Sequence, residues 1–201
     1  MRRPGTRFAT PRRPQVARVV HGRRRAGGRT TAPTARGRAP GIIAEGEQKV
    51  ELDDQLAELV ALREAGKIAA IGLSDVDADQ VRQALPVGIA CVQNAYNLLD
   101  RMTEPALEVC REHGIAWIPY IPLGSALPGR RRVTDDATVL AVADALGVTA
   151  AQVGLAWPLA HHERTLLIPG TADPAHLVEN LETAGVRLGP DAIARLDALV
   201  G

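Results

Sequence analysis

Polar side chains follow the predicted buried strands of this sequence, where they could bind a ligand. Ser74 and Asp75 come directly after the apolar run IAAIGL, and Gln93 lies near the end of the run GIACVQN. Because the carboxyl ends of parallel strands meet at one edge of a sheet, we expect these groups to lie together. Hydroxyl, carboxylate and amide groups could hydrogen-bond a polar ligand. The alternative for Ser74 and Asp75 is a turn or a helix cap.

Two later segments repeat this pattern. The run IAWIPYIPLG carries Tyr120 and then a Pro-Leu-Gly turn, and the run TLLIPG ends on Gly170, followed by Thr171. Four successive apolar runs therefore end in polar or glycine-rich clusters. Turn chemistry alone does not explain four such clusters, so the set favours a ligand site at the carboxyl ends of the strands.

Strand and helix patterns alternate from about Glu45 onward. Continuous apolar runs predict strands at 68–73, 88–94, 115–124 and 165–170. Helical spacing and capping signals predict helices at 50–66, 77–85, 103–114, 135–147, 149–160, 173–185 and 190–200. Pro158 is expected to kink or end its helix. Buried parallel strands that alternate with helices predict an α/β fold with a helix-covered parallel sheet.

The first 44 residues differ from the rest of the chain. They hold twelve arginines and no lysine, aspartate or glutamate, while the remaining residues hold 12 basic and 23 acidic side chains. Such a segment is expected to be disordered, because it has too little apolar surface to offset its ordering entropy. We therefore predict a basic leader at 1–44 and a folded domain at 45–201. The leader could bind nucleic acid, act as a targeting peptide, or result from a GC-rich coding sequence translated in the wrong reading frame.

Several kinds of site are not indicated. The sequence lacks the GxGxxG, HExxH, GxSxG and P-loop motifs, and its five scattered histidines predict no metal site. The adjacent His161 and His162 are expected to be a solvated pair at a helix end. Cys91 and Cys110 have no CxxC spacing, which indicates reduced thiols in a cytoplasmic protein. No apolar stretch approaches the roughly 18 residues that span a bilayer.

Four motifs together resemble the second half of the aldo-keto reductase family. They are GKIAAIGLSDV, VQNAYNLLDR, IPYIPLGSA and LLIPGTADPAHLVEN, in that order along residues 51–201. The resemblance implies a TIM-type (β/α)₈ barrel of which about four βα units are present. It also implies hydride transfer between NADP(H) and an aldehyde or ketone, without a Rossmann domain.

The resemblance assigns roles around the nicotinamide ring. Ser74, Asp75 and Gln93 match the residues that hold the carboxamide, although the family has Asn where this chain has Asp75. An ionised carboxylate accepts hydrogen bonds but cannot donate them. Tyr120 matches the aromatic residue that stacks on the ring. The loop that crosses the pyrophosphate corresponds to Leu123, Gly124 and Ser125.

The same resemblance places the adenosine phosphate near the last predicted strand. Gly170, Thr171 and the amides that open the next helix would form an anion site. His176 stands where many members have Lys or Arg, so the implied preference for NADP(H) over NAD(H) is weakened. Glu179 and Asn180 match the pair that contacts the adenine, and a polar helix face is the alternative.

The resemblance assigns no catalytic residue to this chain. The family's catalytic Tyr, Lys, Asp and His come from the first half of the barrel. In this chain the Arg-rich segment would occupy the place of that half. We therefore expect a truncated protein with weak or no activity. The alternative is a non-catalytic, dinucleotide-binding half-barrel that dimerises through its exposed edges. Salt-sensitive nucleic-acid binding is expected only if the leader is a functional arm.

Overall fold

Four strands form a parallel sheet in the described residues. In this computed structural model, residues 51–124 and 131–200 are described, together with the backbone of 18–21. The strands are β1 (Arg18–His21), β2 (Ile71–Ser74), β3 (Cys91–Ala95) and β4 (Ala116–Tyr120). They pair in the order β1-β2-β3-β4, and every pair is parallel. The carboxyl ends of all four strands therefore lie at one edge of the sheet.

Seven α-helices lie between and after the strands in the described residues. They are α1 (Leu52–Glu64), α2 (Ala78–Ala84), α3 (Glu104–Glu112), α4 (Ala137–Leu146), α5 (Ala150–His161), α6 (Pro174–Glu182) and α7 (Pro190–Asp197). Two capping boxes begin helices where capping signals in the sequence placed them, Asp77 with Gln80 before α2 and Thr149 with Gln152 before α5. The predicted α/β fold with a helix-packed parallel sheet is confirmed for these residues.

The two faces of the sheet differ in burial. Leu73, Val92 and Trp117 are fully buried and belong to the same apolar cluster as the helices. Cys91, Ala116 and Ile118, which alternate with these residues, are only partly buried. Because cross-strand partners share a face, the partly buried residues form one continuous surface on the other side of the sheet.

Strand β1 lies within the segment that was expected to be disordered. Arg18–His21 pair with β2 in parallel register, with His21 opposite Ser74. This pairing lies within the predicted leader, and the division of the chain at residue 44 stays a prediction. Their β-branched Val19 and Val20 suit a strand, and the edge of β2 offers unpaired backbone groups. Positions 1–17 and 22–50, and the rest of the predicted leader with them, lie outside the described residues.

The predicted strand at 165–170 is wrong. Only one bridge forms there, between Thr165 and Trp117, and the amide of Leu166 donates to the Trp117 carbonyl at 2.9 Å. Beyond that point the segment leaves β4, and Leu166 and Ile168 are exposed. A strand requires repeated pairing with a neighbour, which an apolar run alone does not provide.

Two further expectations concern α5 and its end. The helix does not end at Pro158 but continues to His161, so it tolerates the missing backbone N–H of proline, and a kink at Pro158 stays a prediction. His162 is buried, and its Nε2 lies 2.9 Å from the carbonyl oxygen of Ile115. His161 packs on Trp157 with ring centroids 4.0 Å apart, and burial lowers its pKa. Neither ring is solvated as the sequence suggested.

The apolar helices raise the question of a membrane span. Within residues 51–124 and 131–200, no single helix is long and apolar enough to cross a bilayer. Helices α4 and α5, which are bent by 94° at their junction, reach that length and composition only as a pair.

Candidate cofactor site at the carboxyl edge of the sheet

The ends of β2, β3 and β4 bring four predicted site residues together. Ser74 is the register partner of Gln93, so both side chains belong to the same face of the sheet. The amide of Asp75 donates to the Gln93 carbonyl oxygen at 3.1 Å. Tyr120 ends β4 on the other side of β3, and its hydroxyl donates to Oδ1 of Asp75 at 2.5 Å. This hydrogen bond crosses the end of β3 and links its two neighbouring strands.

These four side chains differ in exposure. Ser74 is buried, whereas Asp75, Gln93 and Tyr120 are partly exposed at the edge. A carboxylate, a primary amide and a phenol are thus partly exposed at one edge, beside the buried hydroxyl of Ser74. Within the described ranges, no group of three or more His, Cys, Asp or Glu side chains is placed to hold a metal ion.

Two buried asparagines to which the sequence analysis gave no role in the site support this edge. Asn94 is fully buried, and its side chain accepts from the amide of Val76 at 3.1 Å and donates to the carbonyl of Val76 at 2.7 Å. Asn97 donates to the carbonyl of Ile121 at 3.2 Å. A polar residue in a buried strand is the signal that could have identified Asn94, because buried amides are normally fully hydrogen-bonded.

The loop after β4 is held against α5. The amide of Val133 donates to the carbonyl of Leu123 at 3.1 Å, and Gly124 forms a bridge with Arg132. A Cβ on Gly154 would lie 2.8 Å from Cδ2 of Leu123, so this glycine allows the loop to approach the helix closely. Ser125, the third predicted residue of this loop, lies outside the described residues.

Gly124 has a structural requirement independent of any ligand. Its φ is +83°, and a Cβ would lie 2.7 Å from the carbonyl oxygen of Arg131. We expect Gly124→Ala to lower the free energy of unfolding by roughly 1–3 kcal/mol, measured by urea denaturation. Gly170→Ala is the matched control, because a Cβ there meets nothing within 4 Å. Equal stability of the two variants would contradict this account of Gly124.

The remaining predicted residues lie around α6. Gly170, Thr171 and His176 are exposed, and Asn180 is partly buried. The Asp173 carboxylate caps α6 by accepting from the amide of Ala175 at 2.8 Å, and the Thr171 hydroxyl accepts from the amide of Asp173 at 3.1 Å. Two groups expected to receive a phosphate are therefore engaged locally. The helix opens with Asp-Pro, whose carboxylate is a strong N-cap.

Glu179 links α6 to α5. Its carboxylate accepts a hydrogen bond from the hydroxyl of Thr149, and its backbone carbonyl accepts from Nε2 of Gln152 at 3.2 Å. The side chain that the resemblance directs to the adenine is thus bound to the start of a neighbouring helix. An adenine contact would have to use its second oxygen or displace Thr149.

The parallel sheet, its helices and the polar carboxyl edge define an α/β protein with a candidate site at the carboxyl ends of its strands. The model of the Aldo/keto reductase family matches residues 41–200, and the chain belongs to this family. A chain of the aldo-keto reductase from Klebsiella pneumoniae, solved in complex with NADPH, superposes with a TM-score of 0.66 at 28% identity. The match covers 75% of this chain and 55% of that one.

Two curated relatives are similar in sequence. An uncharacterized oxidoreductase of Schizosaccharomyces pombe is 39% identical over 158 residues, which are 75% of this chain and 48% of the relative. The pyridoxine 4-dehydrogenase of Escherichia coli is 35% identical over 155 residues, which are 77% of this chain and 52% of the relative. The chain thus spans about half the length of the curated relatives it matches.

Proposed function

We propose that this chain provides the cofactor-binding part of an NADP(H)-dependent oxidoreductase of aldehydes and ketones. The observation that carries the proposal is the convergence of Asp75, Gln93 and Tyr120 at the carboxyl edge of a sheet in an aldo-keto reductase. The NADPH complex of the Klebsiella relative supports the choice of cofactor. NAD(H) is the alternative, because the exposed His176 is a weaker phosphate partner than an arginine.

We further propose that this chain alone turns over carbonyl substrates weakly or not at all. Of its two tyrosines, Tyr96 is fully buried and donates to Oε2 of Glu104 at 2.7 Å. Burial, followed by the hydrogen bond and charge of Glu104, raises the pKa of Tyr96, so it is unsuited as a general acid. Tyr120 is bound to Asp75. Lys67 precedes β2 and lies at the opposite end of the strands from the site.

The test measures binding and turnover separately on the purified chain. NADPH binding is followed by calorimetry, with the Klebsiella reductase as a positive control. Carbonyl-dependent oxidation of NADPH is followed at 340 nm with a panel of aliphatic and aromatic aldehydes and ketones. We expect binding without a rate above the blank. A carbonyl-dependent rate comparable with that of the Klebsiella reductase would refute the proposed weak or absent activity, and an absence of binding would refute the cofactor assignment.

A dinucleotide-binding half-barrel that dimerises is a second candidate. It is favoured by the exposed Leu166 and Ile168, next to the single bridge between Thr165 and β4. A second copy could cover this edge and the partly buried face of the sheet. Light scattering after gel filtration decides between monomer and dimer. Leu166→Glu should dissociate such a dimer, and a wild-type monomer at micromolar concentration would rule it out.

The cysteines support a reducing compartment, and we propose that the protein is cytoplasmic. Both Cys91 and Cys110 are free thiols, and burial raises the pKa of each. A raised pKa keeps a thiol protonated and unreactive.

A further inference from the structure

Two oxygen atoms near the end of α7 attach this helix to the domain. The carbonyl oxygen of Leu196 accepts from Nη2 of Arg101 at 3.0 Å, and Oδ1 of Asp197 accepts from Nε1 of Trp157 at 2.8 Å. Nη1 of Arg101 lies 3.9 Å from the same Oδ1. Within residues 51–124 and 131–200, the polar contacts of α7 with other elements converge on these two oxygen atoms. The buried Leu196 side chain adds an apolar contact with the core.

A histidine lies against the second of these oxygen atoms. Nε2 of His161 is 3.6 Å from Oδ1 of Asp197, which is too far for a hydrogen bond but close enough for an ion pair when the ring is protonated. The ring packs on Trp157, and the His161 side chain is only 16% exposed. His161 is therefore a titratable group enclosed at the joint between α5 and α7.

The surroundings of His161 favour its neutral form. Burial lowers the pKa of His161 from its ordinary value of 6.5 and outweighs the neighbouring charges. Four charged side chains face the ring, and they are Asp197 of α7, Glu104 and Arg111 of α3, and Arg101 before α3. The two carboxylates favour protonation and the two guanidinium groups oppose it, so these charges largely offset one another.

We propose that His161 makes the attachment of α7 sensitive to pH, so that mild acid releases this helix. Release would remove Leu196 and Asp197 from the joint and expose the His161 ring to water. The pKa of the ring would then return toward its ordinary value, so the released form binds a proton more tightly than the attached form. The stabilisation of the attached form is therefore complete above about pH 6.5 and is lost as the pH falls toward the lowered pKa.

Hydrogen exchange of the α7 amides measures this release. The full chain is labelled near pH 7.5 and near pH 5.5, and mass spectrometry follows peptides from α7 and α5 after correction for the intrinsic pH dependence of exchange. We expect the α7 amides to exchange through local opening, and thus faster than those of α5, at both pH values. The open population of α7 should be about 3- to 10-fold higher near pH 5.5, since a released ring with a pKa near 6.5 gains up to that factor.

Two variants identify the titrating group. His161→Gln keeps a polar side chain at this position but removes the titration, so the pH response of α7 should fall below about twofold. His113→Gln is the matched control, because it removes an exposed histidine at the end of α3 and should keep the wild-type response. Circular dichroism verifies that both variants fold.

Three results would overturn the proposal. The open population of α7 could be equal at the two pH values, α7 could open only together with α5, or His161→Gln could keep the wild-type response. If His161→Gln does not fold, the His161 ring is titrated by NMR in the wild type, where its contact with Trp157 identifies it. A midpoint below 6.5 supports the proposal, and a midpoint at or above 6.5 overturns it.

Discussion

Replacing Trp157 with alanine is expected to lower the free energy of unfolding by about 3–5 kcal/mol. The indole is fully buried in α5 and stacks on Tyr96 with ring centroids 5.4 Å apart. The Arg101 guanidinium lies 4.4 Å from the centroid of the Trp157 ring. The indole Nε1 of Trp157 donates to Oδ1 of Asp197 at 2.8 Å. The ring therefore joins α5 to both the end of α7 and the residue after β3. Urea denaturation monitored by circular dichroism measures the loss.

A second variant separates packing from the hydrogen bond. Trp157→Phe keeps an aromatic ring but removes the indole N–H, and Asp197 is exposed enough for water to replace that donor. We expect a loss of about 1–2 kcal/mol, well below that of Trp157→Ala. Similar losses in the two variants would mean that the hydrogen bond dominates. A loss below about 1 kcal/mol for alanine would contradict the tight packing of the indole in the apolar cluster.

The elements predicted correctly are those whose signals are local. The Asp77–Gln80 and Thr149–Gln152 capping boxes lie within four residues of sequence, and both helices begin where these signals place them. The error at 165–170 has the opposite cause. A strand exists only if a partner strand runs beside it, and beyond Thr165 the described residues provide none. Strand β1 likewise depends on an open edge of β2, which its own sequence does not reveal.

The candidate site also combines features that the sequence predicts with features that depend on distant residues. The order of polar residues after the strands predicted that Ser74, Asp75 and Gln93 would share an edge, since parallel strands align their carboxyl ends. The direct bond from Tyr120 to Asp75 depends on the positive φ at Asp75. The next residue, Val76, is held by both side-chain groups of Asn94, 18 residues away in sequence, and no local pattern encodes that contact.

Removal of the Asn94 amide is expected to affect both stability and the site. Asn94→Ala would leave the buried N–H and C=O of Val76 without partners, which costs about 2–4 kcal/mol for the two groups. It would also allow Asp75 to leave its positive-φ conformation. The affinity for NADPH should therefore fall along with the stability. Thermal and urea unfolding give the first quantity, and calorimetry at a temperature where the variant is folded gives the second.

Two further substitutions make the prediction specific. Asn94→Asp keeps the shape and the acceptor for Val76 N–H, but it replaces the donor with an oxygen 2.7 Å from the Val76 carbonyl. A buried, unpaired acceptor that also carries charge should cost at least as much stability as alanine at neutral pH. Gln83→Ala removes an exposed amide bonded to Asp53, and should change stability by less than about 0.5 kcal/mol. If Asn94→Asp were as stable as the wild type, the hydrogen bond from the Asn94 amide to the Val76 carbonyl would be dispensable. The positive φ of Asp75 would then need another cause.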